Sequence, residues 1–259
     1  MSQEHQMKIS NIKPFGPLIM KVELSTNILE KMVDITDKIL LSNDKVHWGN
    51  HLAGKIDNEY LISNNILREE NLYNFFSDLV SRYIISCSQH KKFNKQIKLD
   101  VNIPEGQTWI VSQYENEYNP VHNHTDGGVD SFESDYSVSM VMYLKVPKFK
   151  KRHIKGKTDK SDVTSITFKD EDGSIAFINN STASPLEVGA LTFKPEVGDL
   201  YIFPANLFHT VYPFIGEGER RSVSLNARHN FVTVEENQSI QKEIKLPKLE
   251  YKLRRNTNE

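Results

Sequence analysis

The chain of 259 residues carries a single cysteine, Cys87. An intrachain disulfide is excluded, and the count suits a reducing compartment. No apolar run approaches the roughly 18 residues that a membrane span requires, so no transmembrane segment is expected. The opening MSQEHQMKISN lacks the apolar stretch of a secretory signal. Neither sign of charge prevails: 32 Lys and Arg against 34 Asp and Glu leave a formal net charge of −2. That is too little for a global field that gathers nucleic acid or an anionic membrane. Internal repeats and low-complexity tracts are missing too. What these absences leave is a soluble globular chain, expected in the cytoplasm and long enough to bury a sizeable core.

Helical signals crowd the first third. In LSTNILEKMVDITDKILLS, cap-type Ser25, Thr26 and Asn27 precede Ile28, Met32, Ile35 and Ile39 at helical spacing. A second helix is expected in EENLYNFFSDLVSRYIISCSQ, started by Glu69 and Glu70, with one apolar stripe of Leu72, Phe75, Phe76, Leu79, Tyr83 and Cys87. Between them, KVHWGNHLAGKIDNEYLI reads as a loop with a short strand, packed over the core, although His47, Trp48 and His51 have the chemistry to line a site.

From about residue 97 the character changes. TWIVSQY, YSVSMVMYLKV, GSIAFIN, GALTFKP, GDLYIFP, HTVYPFI and RSVSLNARHNFV are short, rich in β-branched and aromatic residues, and separated by Gly, Pro and Asn. Such a run without intervening helices predicts an α+β, mainly β fold. Its core is expected as an antiparallel sandwich or open barrel of jelly-roll, cupin-like type, a double-stranded β-helix, with the early helices packed on one sheet. One domain is expected over 1–259. Residues 1–96 give the N-terminal strand and helices, 97–232 the core, 148–162 a basic insertion, and 233–259 a charged extension.

The densest group of ligand-type side chains is NPVHNHTDGG, residues 119–128, with His122, His124 and Asp126 each two apart. On a strand, residues two apart point to the same face, so a pair of them can grip one ion from one side. Alone, a His-x-His is a weak signal, since histidines beside Asn and Asp are common in turns. A third ligand is offered by His209 in GDLYIFPANLFHTVYPF. Two near ligands and a distant histidine leave coordination positions open, an arrangement that suits non-haem Fe(II). Eleven residues after His209 begins RRSVSLN, where Arg220, Ser222, Ser224 and Asn226 share one strand face and Arg221 points to the other. An arginine and a hydroxyl two residues on can hold a carboxylate together. A keto-acid chelating the metal while its far carboxylate meets Arg220 is the chemistry this set suggests.

These pieces, from Trp109 through HNH, SVSMVMYLKVP and GDLYIFPANLFHTVYP to ERRSVSLN at Asn226, resemble the 2-oxoglutarate- and Fe(II)-dependent oxygenases. The similarity is to the prolyl-hydroxylase-like branch common in marine bacteria and phages. KPFGPLIMKVEL looks like that family's N-terminal strand. The resemblance implies Fe(II) as metal and 2-oxoglutarate as co-substrate, with O2 and a further substrate as partners. It implies His209 as the distal iron ligand and Arg220 with Ser222 as the carboxylate anchor. Tyr143 matches a tyrosine that reaches the same carboxylate, although a plain core role fits it as well, and Gln113 and Tyr114 are expected along the co-substrate pocket. The implied reaction is hydroxylation of a C–H bond, in a peptidyl proline or another protein side chain. If the chain is viral, the host cytoplasm is the expected location.

Two ligand frames stand open. In one, His122, His124 and His209 bind the iron, matching the H-x-H of the resembling branch. In the other, His124, Asp126 and His209 bind it, restoring two histidines and a carboxylate. A three-histidine site carries no ligand negative charge, so it holds Fe(II) less tightly and raises its potential. The basic segment 148–162 and residues 45–60 are expected as walls of the substrate entrance. A reading of another class also stands: a non-catalytic jelly-roll binding or virion-associated module with a structural metal or none. That reading gives no role to an inward-facing Arg220.

Overall fold

The computed structural model describes residues 8–12, 16–87, 97–124, 137–150, 171–178 and 189–233. Along the chain run β1 (Lys8–Ile12), β2 (Ile19–Glu23), α1 (Thr26–Leu41), a 3₁₀ turn (Gly49–His51), β3 (Asn58–Leu61), α2 (Asn64–Glu69) and α3 (Leu72–Cys87). There follow β4 (Ile97–Asn102), β5 (Thr108–Gln113), β6 (Asn119–His122), β7 (Val138–Lys145), β8 (Ile175–Ile178) and β9 (Ala190–Phe193). The last three are β10 (Asp199–Pro204), β11 (His209–Val211) and β12 (Arg220–Thr233). The basic insertion beyond residue 150 and the extension beyond 233 lie outside the described residues, as does Asp126.

Two antiparallel sheets face each other. The larger has eight strands in the order β1-β2-β10-β7-β12-β5-β3, with β4 paired to the far half of β12. The smaller has four, β6-β11-β8-β9. This is the expected double-stranded β-helix, mainly β with the helices on one sheet.

Period-two alternation assigns the two faces of the large sheet. Met140, Met142, Leu200, Ile202, Val223 and Leu225 point outward and join Met32, Ile35, Phe76, Leu79 and Tyr83 of α1 and α3 in one buried cluster. The residues between them point inward. Val141, Tyr143, Tyr201 and Phe203 pack with Ile175, Phe177, Leu207 and Val211 from the small sheet and its approach. Burying each such apolar side chain contributes roughly 1.5–3 kcal/mol. The inward face of β12 breaks this rule: Arg220, Ser222, Ser224 and Asn226 stand where apolar residues would pack. A cavity opens between the sheets there.

The helical reading needs three corrections. Residues expected to start the second helix end a separate one, α2, because Asn71 takes a left-handed backbone (φ 59°) before α3 begins at Leu72. Cys87, expected on the buried stripe, is exposed, since it is the last residue of α3 and lies past the sheet it covers. Val80 and Ile84 take part in the buried face instead. No helix among the described residues is long and apolar enough to cross a membrane.

Candidate metal and co-substrate site

His122 ends β6 and His209 begins β11, and the two are direct register partners across the small sheet. His124 arrives from the segment leaving β6, where its backbone N–H donates to Ala205 O at 2.8 Å. The ligand atoms of the three histidines all lie within 4.8 Å of one another. Each ring is held from behind. Nδ1 of His122 lies 2.7 Å from Pro120 O, and Nδ1 of His209 lies 2.9 Å from Leu207 O. Nδ1 of His124 lies 2.6 Å from Asn226 Oδ1 and 2.9 Å from Ser139 Oγ. Asn226 is itself oriented, because its Nδ2 donates to Gln107 Oε1 at 3.0 Å while Ser139 Oγ donates to its Oδ1 at 2.7 Å.

With acceptors behind each Nδ1, the proton sits there and every Nε2 presents a lone pair to the centre. Nε2 of His122 and His124 stand 3.3 Å apart. Two lone pairs at that distance repel unless a cation lies between them. Metal–imidazole bonds of about 2.1 Å at a right angle put two ligand nitrogens about 3 Å apart. Burial pushes all three histidines below their ordinary range, His124 to about 4 and His209 well below the usual value. They are neutral at pH 7, as a ligand must be. The donor set fits a metal ion.

Across the same cavity, of about 410 Å³, stands Arg220. It is 1 % exposed. Its Nε donates to Gly173 O at 2.9 Å and its Nη1 to Gln113 Oε1 at 3.0 Å. Gly173 has φ +66°, and an added Cβ would meet the Phe149 ring at 2.6 Å, so the turn that presents this carbonyl requires glycine. Nη2 of Arg220 has no hydrogen-bond partner among the described residues, nor does the buried hydroxyl of Tyr143. The guanidinium lies over the Tyr143 ring, its Cζ 4.9 Å from the centroid. Burial lowers the Arg220 pKa and raises that of Tyr143. A buried guanidinium without a counter-ion is costly, and a carboxylate fits its free edge.

The structure brings His122, His124, His209, Arg220 and Ser222 to one cavity, with Tyr143 directly behind Arg220. Gln113 reaches Arg220 from the neighbouring strand. Tyr114 is not brought there: it is 45 % exposed, because it follows β5 and turns to the opposite side from Gln113. Of His47, Trp48 and His51, in the segment expected as an entrance wall, Trp48 and His51 line the cavity. Two further residues have no sequence signal of their own: Glu59, which lines the cavity, and Ser139, which holds the His124–Asn226 pair.

Residues 107–226 match the family described as "Putative 2OG-Fe(II) oxygenase". No curated protein sequence matches the chain. Among solved structures, the non-heme alpha ketoglutarate dependent carbocyclase SnoK from nogalamycin biosynthesis superposes with a TM-score of 0.51 at 9% identity. The match covers 88% of this chain and 87% of that one. A prolyl hydroxylase from Trichoplax adhaerens, solved with a hypoxia inducible factor peptide fragment, gives 0.49 at 13% identity over 87% and 86% of the two chains. HygX from Streptomyces hygroscopicus, solved with nickel, 2-oxoglutarate and hygromycin B, gives 0.47 at 9% identity over 83% of each. At these identities the likeness is one of fold.

Proposed function

From the premise that residues 107–226 match the 2OG-Fe(II) oxygenase family, we propose that the protein is an Fe(II)- and 2-oxoglutarate-dependent dioxygenase that hydroxylates a C–H bond of its substrate. The observation that carries this reading is Arg220, a buried cation without a carboxylate partner among the described residues, facing the cavity that three neutral histidines share.

The Nε2 atoms of His122, His124 and His209 hold the metal, each fixed by the acceptor behind its ring. Because burial keeps the rings neutral, no proton has to leave before the ion binds. Nη2 of Arg220 and the Tyr143 hydroxyl take the far carboxylate of 2-oxoglutarate, and the Ser222 hydroxyl on the same face adds a donor. That salt link supplies the buried guanidinium with its missing counter-charge. When bound, iron and 2-oxoglutarate supply the oxidation: O2 is consumed, the keto-acid becomes succinate and CO2, and one oxygen atom enters the substrate C–H bond. The chain's own contribution is to orient both ligands and exclude bulk water. Phe203, Val211 and Ile175 are among the apolar residues of the wall. A protein side chain, peptidyl proline included, is the substrate that the resemblance suggests.

Anaerobic addition of Fe(II) and then 2-oxoglutarate should produce a weak visible charge-transfer band, and admitting O2 should yield succinate. No band and no succinate would return the chain to the binding-module class. His122→Ala, His124→Ala and Asp126→Ala, assayed for iron content, separate the two ligand frames: loss in His122→Ala with retention in Asp126→Ala is expected.

A further inference from the structure

The cavity wall carries a second buried charge that the reaction above does not use. Glu59 is 1 % exposed, lines the cavity, and its carboxyl makes no hydrogen bond to a described residue. Its backbone is tied down, since Trp48 N–H donates to Glu59 O at 2.8 Å. The 3₁₀ turn that follows covers it: an added Cβ on Gly49 would come within 3.1 Å of Glu59 Oε2. In register, Glu59 pairs with Val111 on β5, and Val111 pairs with Ser222 on β12. Glu59 therefore lies on the inward face, in the same cross-strand row as Ser222 and two strands away, about 10 Å at normal strand spacing. Among the described residues, the cluster that can share an ion holds the three histidines and does not include Glu59.

Aromatic and aliphatic side chains share its end of the cavity. Trp48, Leu52, Ile56, Trp109 and Val111 form one hydrophobic cluster at this end of the cavity, and the Trp48 and His51 rings lie 4.4 Å apart. The Trp109 ring also lies 5.9 Å from that of His124, so one indole flanks both the histidine cluster and the acid compartment. Glu59 and Arg220 are the carboxylate and the permanent cation among the described lining residues. Burial, helped by nearby Glu117, holds the Glu59 proton on up to about 7. A fixed positive charge from a ligand would release it and leave a compact ion pair.

We propose that the substrate carries a cationic nitrogen, an alkylammonium or guanidinium group, which seats on the Glu59 carboxylate beside the indoles of Trp48 and Trp109. A buried acid in a cavity that two indoles also line attracts such a group twice, by charge and by the quadrupoles of the rings. From that anchor the rest of the substrate runs along Trp109 to the histidines. The inference rests on the oxygenase reading for what happens to the substrate, but not for how it is held.

The test uses the full chain, loaded anaerobically with Fe(II) and 2-oxoglutarate. Trp48 and Trp109 are the two tryptophans of the sequence and both line the cavity, so intrinsic fluorescence reports on this compartment. Titration with pentylammonium is expected to change it saturably, and to do so about tenfold or more tighter than the neutral isostere 1-pentanol. Glu59→Gln should erase that preference. Equal affinity of wild-type protein for the two probes, or no response to either, overturns the inference without any variant having to fold. The band described above is read on the same samples. A band without ammonium preference sinks this inference alone, and ammonium preference without a band sinks the oxygenase reading alone.

Discussion

Arg220 and Arg221 are neighbours on one strand, equally buried at 1 % and 4 % exposure, and opposite in circumstance. On the helix side, Arg221 forms a two-point link to Glu219, with Nε–Oε1 2.6 Å and Nη2–Oε2 2.7 Å. It also binds Asp37 and donates to Thr36 Oγ1 at 3.1 Å, both on α1. These carboxylates raise its pKa against the burial that lowers it, and Glu219 is lowered in turn by the same link. On the cavity side, Arg220 has a backbone carbonyl, a neutral amide and a free edge. One strand thus carries a charge neutralised within the fold and one with no carboxylate partner among the described residues. Two buried arginines of equal exposure are told apart by partners, not by burial, and unbalanced charge concentrates at sites of function.

The largest expected break of this contrast is Arg220→Leu. Removing the buried cation should weaken 2-oxoglutarate binding by about a hundredfold or more, read from the concentration that gives half the visible band. Thermal stability should stay level or rise, because an uncompensated buried charge is gone. Arg221→Leu should do the reverse. Glu219, mostly buried, loses its two-point link and keeps only Ser112 Oγ and the more distant Lys145, so unfolding in urea should come at about 2–3 kcal/mol less stability. That is less than a fully buried pair would lose, since Asp37 is well exposed. Co-substrate affinity should hardly change. If both variants fail alike, the two faces of the strand are not distinct.

Glu59 sharpens the comparison with the smallest effect, as the buried acid whose carboxyl also lacks a hydrogen-bond partner among the described residues. Its folded pKa, about 7, lies above the ordinary 4.5 because burial comes first and Glu117 adds to it. The native state therefore holds a proton that the unfolded chain releases. Stability from this group is full below about 4.5, is lost as pH rises towards 7, and is level above. Across that window, wild-type protein should lose about 1–2 kcal/mol more than Glu59→Gln. Parallel stability curves for the two proteins would count against the burial of a carboxyl there.

The sequence made one end of the cavity legible and left the other obscure. His122, His124 and Arg220 with Ser222 could be read because strand periodicity puts residues two apart on one face, and their chemistry is then local. The expectation that Gln113 and Tyr114 both line the pocket runs against the same periodicity, and only Gln113 reaches Arg220. Asn226 was readable as a neighbour of Arg220 on β12, but its grip on His124 depends on a contact 102 residues away. Glu59 had no local signal. Its meaning comes from an edge strand reaching the cavity and a 3₁₀ turn folding over it, both set by tertiary packing. Asn71 likewise split a helix that apolar spacing alone would have run together.

His122 and His209 belong to the small sheet, while His124 is anchored through Asn226 and Ser139 to β12 and β7 of the large one. An ion gripped by all three is a rivet between the two halves of the sandwich. Each tenfold excess of metal over its dissociation constant would then hold those halves together by about 1.4 kcal/mol. The melting temperature of the whole domain becomes a gauge of how much metal the solution offers.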